Sequence, residues 1–318
     1  MTGQERDDVI VVGGGVIGLT TAVVLAERGR DVRLWTRDAA ERTTSAVAGA
    51  LWWPYRIEPA ESVHAWALRS LTVYQELAER GPETGVRMVE GVLAETDPDE
   101  VRGWAGDRLA VRASREREYA GGPGMWARLP LIDMRTHLGW LRERLRAAGG
   151  TVQERSVSPG FPEADAPVVV NCTGLAAREL VPDPAVRPVR GQLVVVANPG
   201  LETWVVAADS GATDSTYFFP HGDRLVLGGT AEDGEWSTAP DPAVAAAIVR
   251  RCAELRPEIA GARVLEHRVG LRPARDAVRL AAEREPGGRL LVHNYGHGGA
   301  GVTVAWGCAE EAAGWCGA

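Results

Sequence analysis

The feature that most constrains the fold is a glycine turn between a strand and a helix near the start of the chain. The apolar run Asp8–Val12 leads into this turn, and a second strand-like run follows at 31–35. The turn itself has the spacing G-x-G-x-x-G, met by Gly13, Gly15 and Gly18. In this context the first glycine allows the tight turn, the second lets a pyrophosphate reach the backbone, and the third lets the helix pack on the strand. The pattern predicts a dinucleotide-binding βαβ unit.

The end of the second strand departs from the usual form of this unit. An acidic residue there commonly binds a ribose, whereas this chain reads Leu34-Trp35-Thr36-Arg37-Asp38. Arg37 is suited either to meet a phosphate or to stay solvated, and Asp38 lies a little late in the sequence. Both remain candidates for cofactor contact.

A second glycine-rich segment lies almost three hundred residues later. Four glycines in six positions follow a strand-like run at 291–295 and precede an apolar helix; they are Gly296, Gly298, Gly299 and Gly301. Glycine permits close approach of a ligand to the backbone, and the N–H groups that open a helix favour an electron-rich or anionic group. Two glycine turns so far apart can hold the two ends of one long cofactor.

Composition excludes several function classes. The chain has 318 residues, of which 45% are apolar and 25% are charged. This is the composition of a globular protein, and the length is sufficient for two interleaved domains. The net charge of −8 and the lack of a basic tract argue against nucleic acid as a partner. All 35 basic residues are arginine, so a Walker-type phosphate loop and a lysine Schiff base, as in pyridoxal-phosphate enzymes, are excluded.

The cysteines and the apolar runs indicate the compartment. Cys172, Cys252, Cys308 and Cys316 form no C-x-x-C pair, which is typical of reduced thiols in a cytoplasmic protein. The apolar stretch 9–26 is interrupted by glycines and threonines, so we expect neither a signal peptide nor a membrane-spanning helix.

Periodicity predicts alternating helices and strands. Helical patterns cover 60–80, 133–148, 242–255 and 300–313, and strand-like runs cover 87–94, 168–172, 192–197, 225–228 and 263–270. Dinucleotide-type elements at the start, middle and end predict an α/β fold with a discontinuous cofactor domain. We assign residues 1–50, 131–195 and 262–318 to this domain, and residues 51–130 and 196–261 to an inserted, β-sheet-rich substrate-binding domain.

The motifs together resemble the D-amino-acid oxidase family. The family's C-terminal pattern is two aliphatics, His, Asn, Tyr, Gly, any residue, Gly, Gly, any residue, Gly, then Gly and Ala further on, and residues 291–309 meet it. The resemblance covers nearly the whole chain. Its other motifs, in order, are the glycine turn, Thr43-Thr44-Ser45, residues 48–55, Val170-Asn171-Cys172-Thr173-Gly174, Arg190-Gly191-Gln192, Tyr217-Phe218-Phe219-Pro220 and residues 270–275.

The resemblance implies non-covalently bound FAD on a Rossmann-type domain. Residues 13–18 would hold the pyrophosphate, and two segments, 43–51 and 298–303, would lie along the isoalloxazine. In the second segment a helix N-terminus would face the flavin C2 carbonyl and N1, where negative charge builds up on reduction. The implied cofactor residues are Gly13, Gly15, Val16, Ile17, Gly18, Arg37, Asp38, Thr43, Thr44, Ser45, Ala48, Gly49, Ala50, Leu51, Thr173, Gly174, Arg272, Gly298, Gly299, Gly301, Val302 and Thr303.

The resemblance also implies the substrate residues. Arg272 would fork onto the amino-acid carboxylate, Tyr217 would share that carboxylate, and the Gly299 carbonyl would accept a bond from the amine. A planar guanidinium suits this task because it makes two parallel charge-assisted bonds. Trp53 and Tyr55 are candidates for the pocket wall. The family's vertebrate members carry a second active-site tyrosine where this chain has Thr213, and Arg279 is a candidate near the flavin.

The implied activity is oxidative deamination of a D-amino acid, with a neutral or branched side chain, to a 2-oxo acid, ammonia and hydrogen peroxide. Hydride would pass from the α-carbon to flavin N5, and molecular oxygen would reoxidise the flavin. A D-aspartate oxidase or a glycine or sarcosine oxidase is the alternative; an acidic side chain would need a further cation, with Arg56 and His221 as candidates. A nicotinamide-dependent dehydrogenase and a non-catalytic binding protein fit less well.

Two further expectations concern metals and partners. His293 and His297 are four residues apart, but the glycines between and after them oppose the helix that would bring both to one metal ion. We therefore expect no metal site. D-amino acid and oxygen are the expected partners, with no nucleic acid and no membrane, and the oligomeric state is left open, a homodimer being one option.

Overall fold

The computed structural model describes residues 8–119, 121–207 and 214–317. Over these residues the chain is mixed α/β, as predicted. The α-helices of the described residues are α1 (Val16–Glu27), α2 (Thr44–Val47), α3 (Ala60–Arg80), α4 (Pro98–Ala105), α5 (Met134–Ala147), α6 (Ala177–Leu180), α7 (Pro242–Leu255) and α8 (Gly301–Trp315).

The described strands are β1 (Asp8–Val12), β2 (Asp31–Thr36), β3 (Val86–Ala94), β4 (Val111–Ala113), β5 (Gly124–Ile132), β6 (Thr151–Glu154), β7 (Val168–Asn171), β8 (Arg187–Ala197), β9 (Trp204–Ala207), β10 (Asp214–His221), β11 (Arg224–Thr230), β12 (Glu232–Asp233), β13 (Val264–Arg284) and β14 (Leu290–His297).

These strands form one sheet in the order β4-β5-β3-β9-β10-β11-β8-β13-β14-β7-β1-β2-β6, with β12 beside β8. The five strands β14, β7, β1, β2 and β6 are mutually parallel. Their carboxyl ends therefore meet along one edge, which is where open α/β sheets bind ligands. The neighbouring strands β9, β10, β11, β8 and β13 pair in an antiparallel manner. They form a second surface next to the parallel part of the sheet.

Helices cover the parallel part of the sheet. Helix α1 contacts β2, α5 and α8, so it is apolar around its whole circumference, and Val23 and Leu25 are fully buried. Helices α3 and α8 approach closely because Gly307 has no side chain; a Cβ there would lie within 3.0 Å of the Trp66 main chain. This tight packing holds the middle of α8 against α3.

The antiparallel part has two different faces. Helix α7 packs on one face, where Phe218, Leu225, Leu227 and Ile248 form a closed apolar cluster. Residues at the alternate positions of these strands, among them Tyr217, point away from α7. Because side chains alternate along a strand, one face of these strands is core and the other is free to line a cavity.

The predicted helices and strands are all present, but several have different ends: the strand expected at 192–197 begins at Arg187 as β8, and the strand expected at 225–228 continues to Thr230 as β11. The strand expected at 263–270 continues as β13 to Arg284, and the helix expected at 300–313 begins at Gly301 and ends at Trp315. Pro273 lies within β13, where it faces Pro188 in the ladder with β8, and the ladder with β14 is irregular between Ala274 and Arg279. A missing N–H is tolerated at such a point. The division into two domains remains a prediction.

Candidate active site

A cavity of about 790 Å³ extends from the carboxyl ends of the parallel strands to the free face of the antiparallel strands. This volume is typical of sites that enclose a small molecule or cofactor. Of the residues predicted to hold FAD or the substrate's carboxylate and amine, all but Gly18 line it: Gly13, Gly15, Val16, Ile17, Arg37, Asp38, Thr43, Thr44, Ser45, Ala48, Gly49, Ala50, Leu51, Thr173, Gly174, Tyr217, Arg272, Gly298, Gly299, Gly301, Val302 and Thr303.

The first glycine turn requires glycine for steric reasons. Gly13 has φ of 123°, a value that side chains rarely adopt, and a Cβ there would meet the Cys172 carbonyl within 3.0 Å. A Cβ on Gly18 would collide with the Gly13 carbonyl. Gly18 therefore acts in the packing of α1 on the turn, away from the cavity wall, while Gly15 lies at the wall with an unstrained backbone.

Two helix N-termini open into the same cavity, and neither has a side-chain cap on its N-cap residue. At α1 the Val16 N–H donates to Ser45 Oγ at 3.0 Å. At α8 the residues Gly301, Val302 and Thr303 line the cavity. The first N–H groups of a helix carry partial positive charge, so the cavity offers two such helix ends to an electron-rich or anionic ligand.

His297 adds a buried polar atom that a cofactor could satisfy. Its side chain is 3% exposed, it lines the cavity, and its Nε2 has no hydrogen-bond partner among the described residues. Burial lowers the pKa of His297 to about 3, so the ring is neutral. An unpartnered buried nitrogen is costly; together with the uncapped helices and the glycine turn, it fits a long cofactor lying along this wall.

Hydrogen bonds hold the loops around this wall. Thr303 Oγ1 donates to the Trp53 carbonyl at 2.9 Å and accepts from the Trp53 N–H at 3.2 Å. Thr44 Oγ1 donates to the Leu271 carbonyl at 3.1 Å. These bonds tie the 43–55 segment to both α8 and β13, and thereby bring together stretches of sequence more than two hundred residues apart.

Arg272 and Tyr217 lie side by side on the free face of the antiparallel strands. Arg272 Nη1 donates to the Thr230 carbonyl at 3.0 Å, which leaves most of its five donors available to a ligand. Burial raises the pKa of the Tyr217 phenol, and the adjacent Arg272 charge partly opposes this. A neutral hydroxyl donor beside a guanidinium is a suitable receptor for a carboxylate. Trp53 and Tyr55 also line the cavity.

A buried polar network lies behind the cavity wall at Tyr295. The Tyr295 hydroxyl donates to Asp183 Oδ2 at 2.8 Å and accepts from Arg279 Nη1 at 2.8 Å, and Arg275 Nε donates to the same carboxylate at 3.1 Å. Burial alone would raise the pKa of Asp183, but the Tyr295 bond and the Arg275 charge outweigh it and lower that pKa. Arg279 thus contacts the cavity only through Tyr295, which lines it.

Replacing Asp183 with alanine should lower the free energy of unfolding at pH 7 by about 1–3 kcal/mol, because the Tyr295 hydroxyl loses a buried acceptor. The folded-state pKa of Asp183 is depressed, so its contribution is present above the unfolded-state pKa and is lost as the pH falls through the folded one. Urea unfolding of both proteins with saturating cofactor would measure this. Asp276→Ala, which removes an exposed partner of Arg187, is the matched control; equal losses in both variants would show that the buried position of Asp183 adds no stability.

His293 and His297, which we expected not to bind one metal ion together, both lie on β14. His293 Nε2 is 2.8 Å from Glu283 Oε1, and its Nδ1 is 3.5 Å from Asn171 Nδ2. Burial lowers the pKa of His293 despite the Glu283 carboxylate. Both ring nitrogens therefore have protein neighbours. Over the residues described, no group of three His, Cys, Asp or Glu side chains is arranged to hold a metal ion.

Sequence reasoning missed part of the cavity wall. Trp35, Arg155, Ser156 and Val157 line the end near the first glycine turn, and Trp236 and Thr238 line another part. Trp35 lies near the end of β2, and residues 155–157 follow β6, its parallel neighbour, so their place at the sheet edge follows from the topology. Strand β6 is short and polar and gave no strand signal. Arg37 is largely exposed and pairs with Asp38 at 2.8 Å. Thr213 lies outside the described residues.

The structure also places the other residues that the sequence singled out, outside the cavity wall in the case of the two candidates for an acidic substrate. Arg56 and His221, the candidates for an acidic substrate, do not line the described part of the cavity; His221 instead lies 3.2 Å from the Gly49 carbonyl. The four cysteines are buried and free, and burial raises the pKa of Cys172 to about 12. A membrane-crossing helix is not found in the part of the chain that the structure describes.

Comparisons with known proteins identify the family. The model of the FAD dependent oxidoreductase family matches residues 8–315. The chain is 74% identical over 312 residues to a D-amino-acid oxidase of Streptomyces coelicolor, covering 98% of this chain and 97% of that protein. It is 51% identical to a D-amino-acid oxidase of Rubrobacter xylanophilus, with 100% and 98% covered.

The fold agrees with a solved structure. Glycine oxidase from Geobacillus kaustophilus matches with a TM-score of 0.80 and 22% identity, covering 95% of this chain and 92% of that one. At this identity the likeness concerns the fold alone. The family match over nearly the whole chain, the two full-length relatives and the cavity with its two glycine turns agree: the chain belongs to the FAD dependent oxidoreductase family, and its cofactor is FAD.

Proposed function

We propose that this protein is a D-amino-acid oxidase, which converts a D-amino acid and oxygen to a 2-oxo acid, ammonia and hydrogen peroxide. The observation that carries the proposal is the placement of Arg272 beside Tyr217 in the same cavity as the two glycine turns. The 74% identity to a protein named D-amino-acid oxidase supports it over the whole chain.

FAD would lie along the wall formed by the two glycine turns. The backbone of 13–17 would hold the pyrophosphate, with Gly15 giving room at the α1 N-terminus, and residues 43–51 and 298–303 would hold the ring system. The uncapped N-terminus of α8 would stabilise negative charge at the ring edge nearest to it. When bound, FAD supplies the acceptor for the substrate's electrons and passes them on to oxygen.

The substrate would be held by its α-carbon substituents. Arg272 would bind the carboxylate through two parallel bonds, Tyr217 would donate a third, and the Gly299 carbonyl would accept from the amine. Gly299 is close enough for this role, since a Cβ there would lie 3.4 Å from Arg272 Cδ and 3.7 Å from Tyr55 Cδ1. With carboxylate and amine fixed, only one enantiomer can direct its Cα–H at the flavin, so catalysis would depend on alignment.

A neutral side chain is the proposed preference. The strands β8 to β11 contribute only uncharged residues to the described wall, namely Gly191, Leu193, Val206, Ser215, Tyr217, Phe219 and Thr230, and Arg272 projects from the neighbouring β13. A buried carboxylate without a partner would be strongly disfavoured there. The test is kcat/KM for D-valine against D-aspartate, and a preference for D-aspartate would move the function to the sister activity.

The alternatives of another class find less support. A nicotinamide cofactor would need only the first glycine turn, whereas the C-terminal glycine segment lines the same cavity. A non-catalytic role would not require Arg272 beside Tyr217. We further propose that the enzyme works in the cytoplasm, because its four cysteines are free and buried. A homodimer remains a prediction.

A further inference from the structure

Two glycines lie directly beneath the proposed carboxylate-binding side chains. A Cβ on Gly191 would come well within 3.0 Å of the Arg272 guanidinium, against both Nη atoms and Cζ. A Cβ on Gly228 would come well within 3.0 Å of the Tyr217 ring and its hydroxyl. Each functional side chain therefore lies flat on a stretch of bare backbone, in space that any other residue would fill.

Strand register explains this contact. Gly191 on β8 pairs with Gly270 on β13, so Arg272, two residues further along β13, is its diagonal neighbour on the same face. Long side chains reach such diagonal positions. Tyr217 is directly opposite Gly228 in the β10–β11 ladder, where its ring covers the glycine. The motif Arg190-Gly191-Gln192, singled out in the sequence, thus has its middle residue under Arg272.

The backbone around Arg272 cannot easily make room. Strand β8 is paired on both sides, with β11 and β13. The Thr230 carbonyl that accepts from Arg272 is itself fixed, because the Gln192 N–H donates to Thr230 Oγ1 at 3.1 Å. A methyl group at position 191 would therefore be accommodated by the flexible end of Arg272, which would lift away from the sheet into the cavity.

We propose that Gly191 and Gly228 are positioning residues for the substrate carboxylate: by lacking side chains they set the height of Arg272 and Tyr217 above the sheet. The inference rests on the proposed function for the identity of the ligand. Because it concerns the binding of a carboxylate, it can be tested by a binding measurement that requires no turnover.

The test uses the FAD-loaded protein and an unreactive carboxylate, propanoate, titrated while the flavin absorbance is recorded. Gly191→Ala is expected to raise the propanoate Kd about tenfold or more, as for loss of one charge-assisted bond, and to leave the FAD Kd within about twofold. Gly228→Ala, which displaces the Tyr217 ring, should act in the same direction. Gly139→Ala, on α5 with no atom within 4 Å of the added Cβ, is the control. A propanoate Kd for Gly191→Ala within twofold of wild type would overturn the inference.

A double-mutant cycle separates positioning from general damage. In an Arg272→Ala background the methyl at 191 meets no guanidinium, so Gly191→Ala should change neither Tm nor propanoate binding further. If Gly191→Ala alone fails to fold, recovery of folded protein in the double variant would support the inference, and failure in both would overturn it. A wild type that binds propanoate but oxidises no D-amino acid would refute the proposed function alone.

Discussion

Replacement of Arg272 by alanine is expected to lower kcat/KM for a D-amino acid by about 10²–10⁴. The side chain would make two charge-assisted bonds to the carboxylate, each contributing roughly 1.5–3 kcal/mol, and each 1.36 kcal/mol corresponds to a factor of ten. Most of the loss should appear in KM, since the carboxylate is bound in the ground state as well as in the transition state. Arg272→Lys should recover little, because a point charge does not replace the planar fork.

The measurement is steady-state kinetics together with the FAD content of the purified variant. Arg284→Ala is the matched control, because Arg284 lies on the same strand, donates to the Gly288 carbonyl and is not among the described residues that line the cavity. An Arg272→Ala enzyme that retains FAD and an unchanged KM would contradict the assignment of the carboxylate site.

Replacement of Gly15 by aspartate is expected to weaken FAD binding by about 10²–10³. The backbone at Gly15 has φ of −79° in the extended region, so a side chain is tolerated there, and among the described residues its Cβ would meet Ser45 Oγ alone, at 3.0 Å. Aspartate is a favoured N-cap and should support α1. Its carboxylate would nevertheless face the FAD diphosphate, and two unit charges 4 Å apart near a protein surface repel by about 4 kcal/mol.

This variant separates cofactor binding from folding. The apoprotein should unfold at least as high in temperature as the wild-type apoprotein, while titration with FAD should show the weakened affinity. Gly103→Asp places the same charge on an exposed helix position with nothing within 4 Å of the Cβ, and should bind FAD normally. Normal FAD affinity in Gly15→Asp would mean that the pyrophosphate does not lie at this turn.

The parts of the site predicted from sequence are those with local signals. The spacing of Gly13, Gly15 and Gly18 between a strand and a helix carries its own geometric meaning, and the structure places steric limits at the first and third. The C-terminal glycines likewise stand directly before a helix. The membership of Arg272 and Tyr217 in one site came from family resemblance, and the structure places them side by side in the cavity with both glycine turns.

The other parts of the site depend on which strands pair in the sheet, and no local sequence pattern determines that pairing. Arg155 lines the cavity because β6 pairs with β2, and Gly191 lies under Arg272 because β8 pairs with β13. The Asp183 network joins residues about a hundred positions apart. Contacts between residues so far apart in sequence can be predicted only when the order of the strands in the sheet is known.

Hydrogen peroxide release from paired D- and L-amino acids tests whether the FAD-loaded protein oxidises D-amino acids. We expect turnover of D-valine and D-methionine with no detectable turnover of L-valine or L-methionine, because the contacts that fix the carboxylate and amine leave one orientation for the Cα–H. Equal rates with both enantiomers, or no peroxide from any D-amino acid in the presence of bound FAD, would contradict the proposed function.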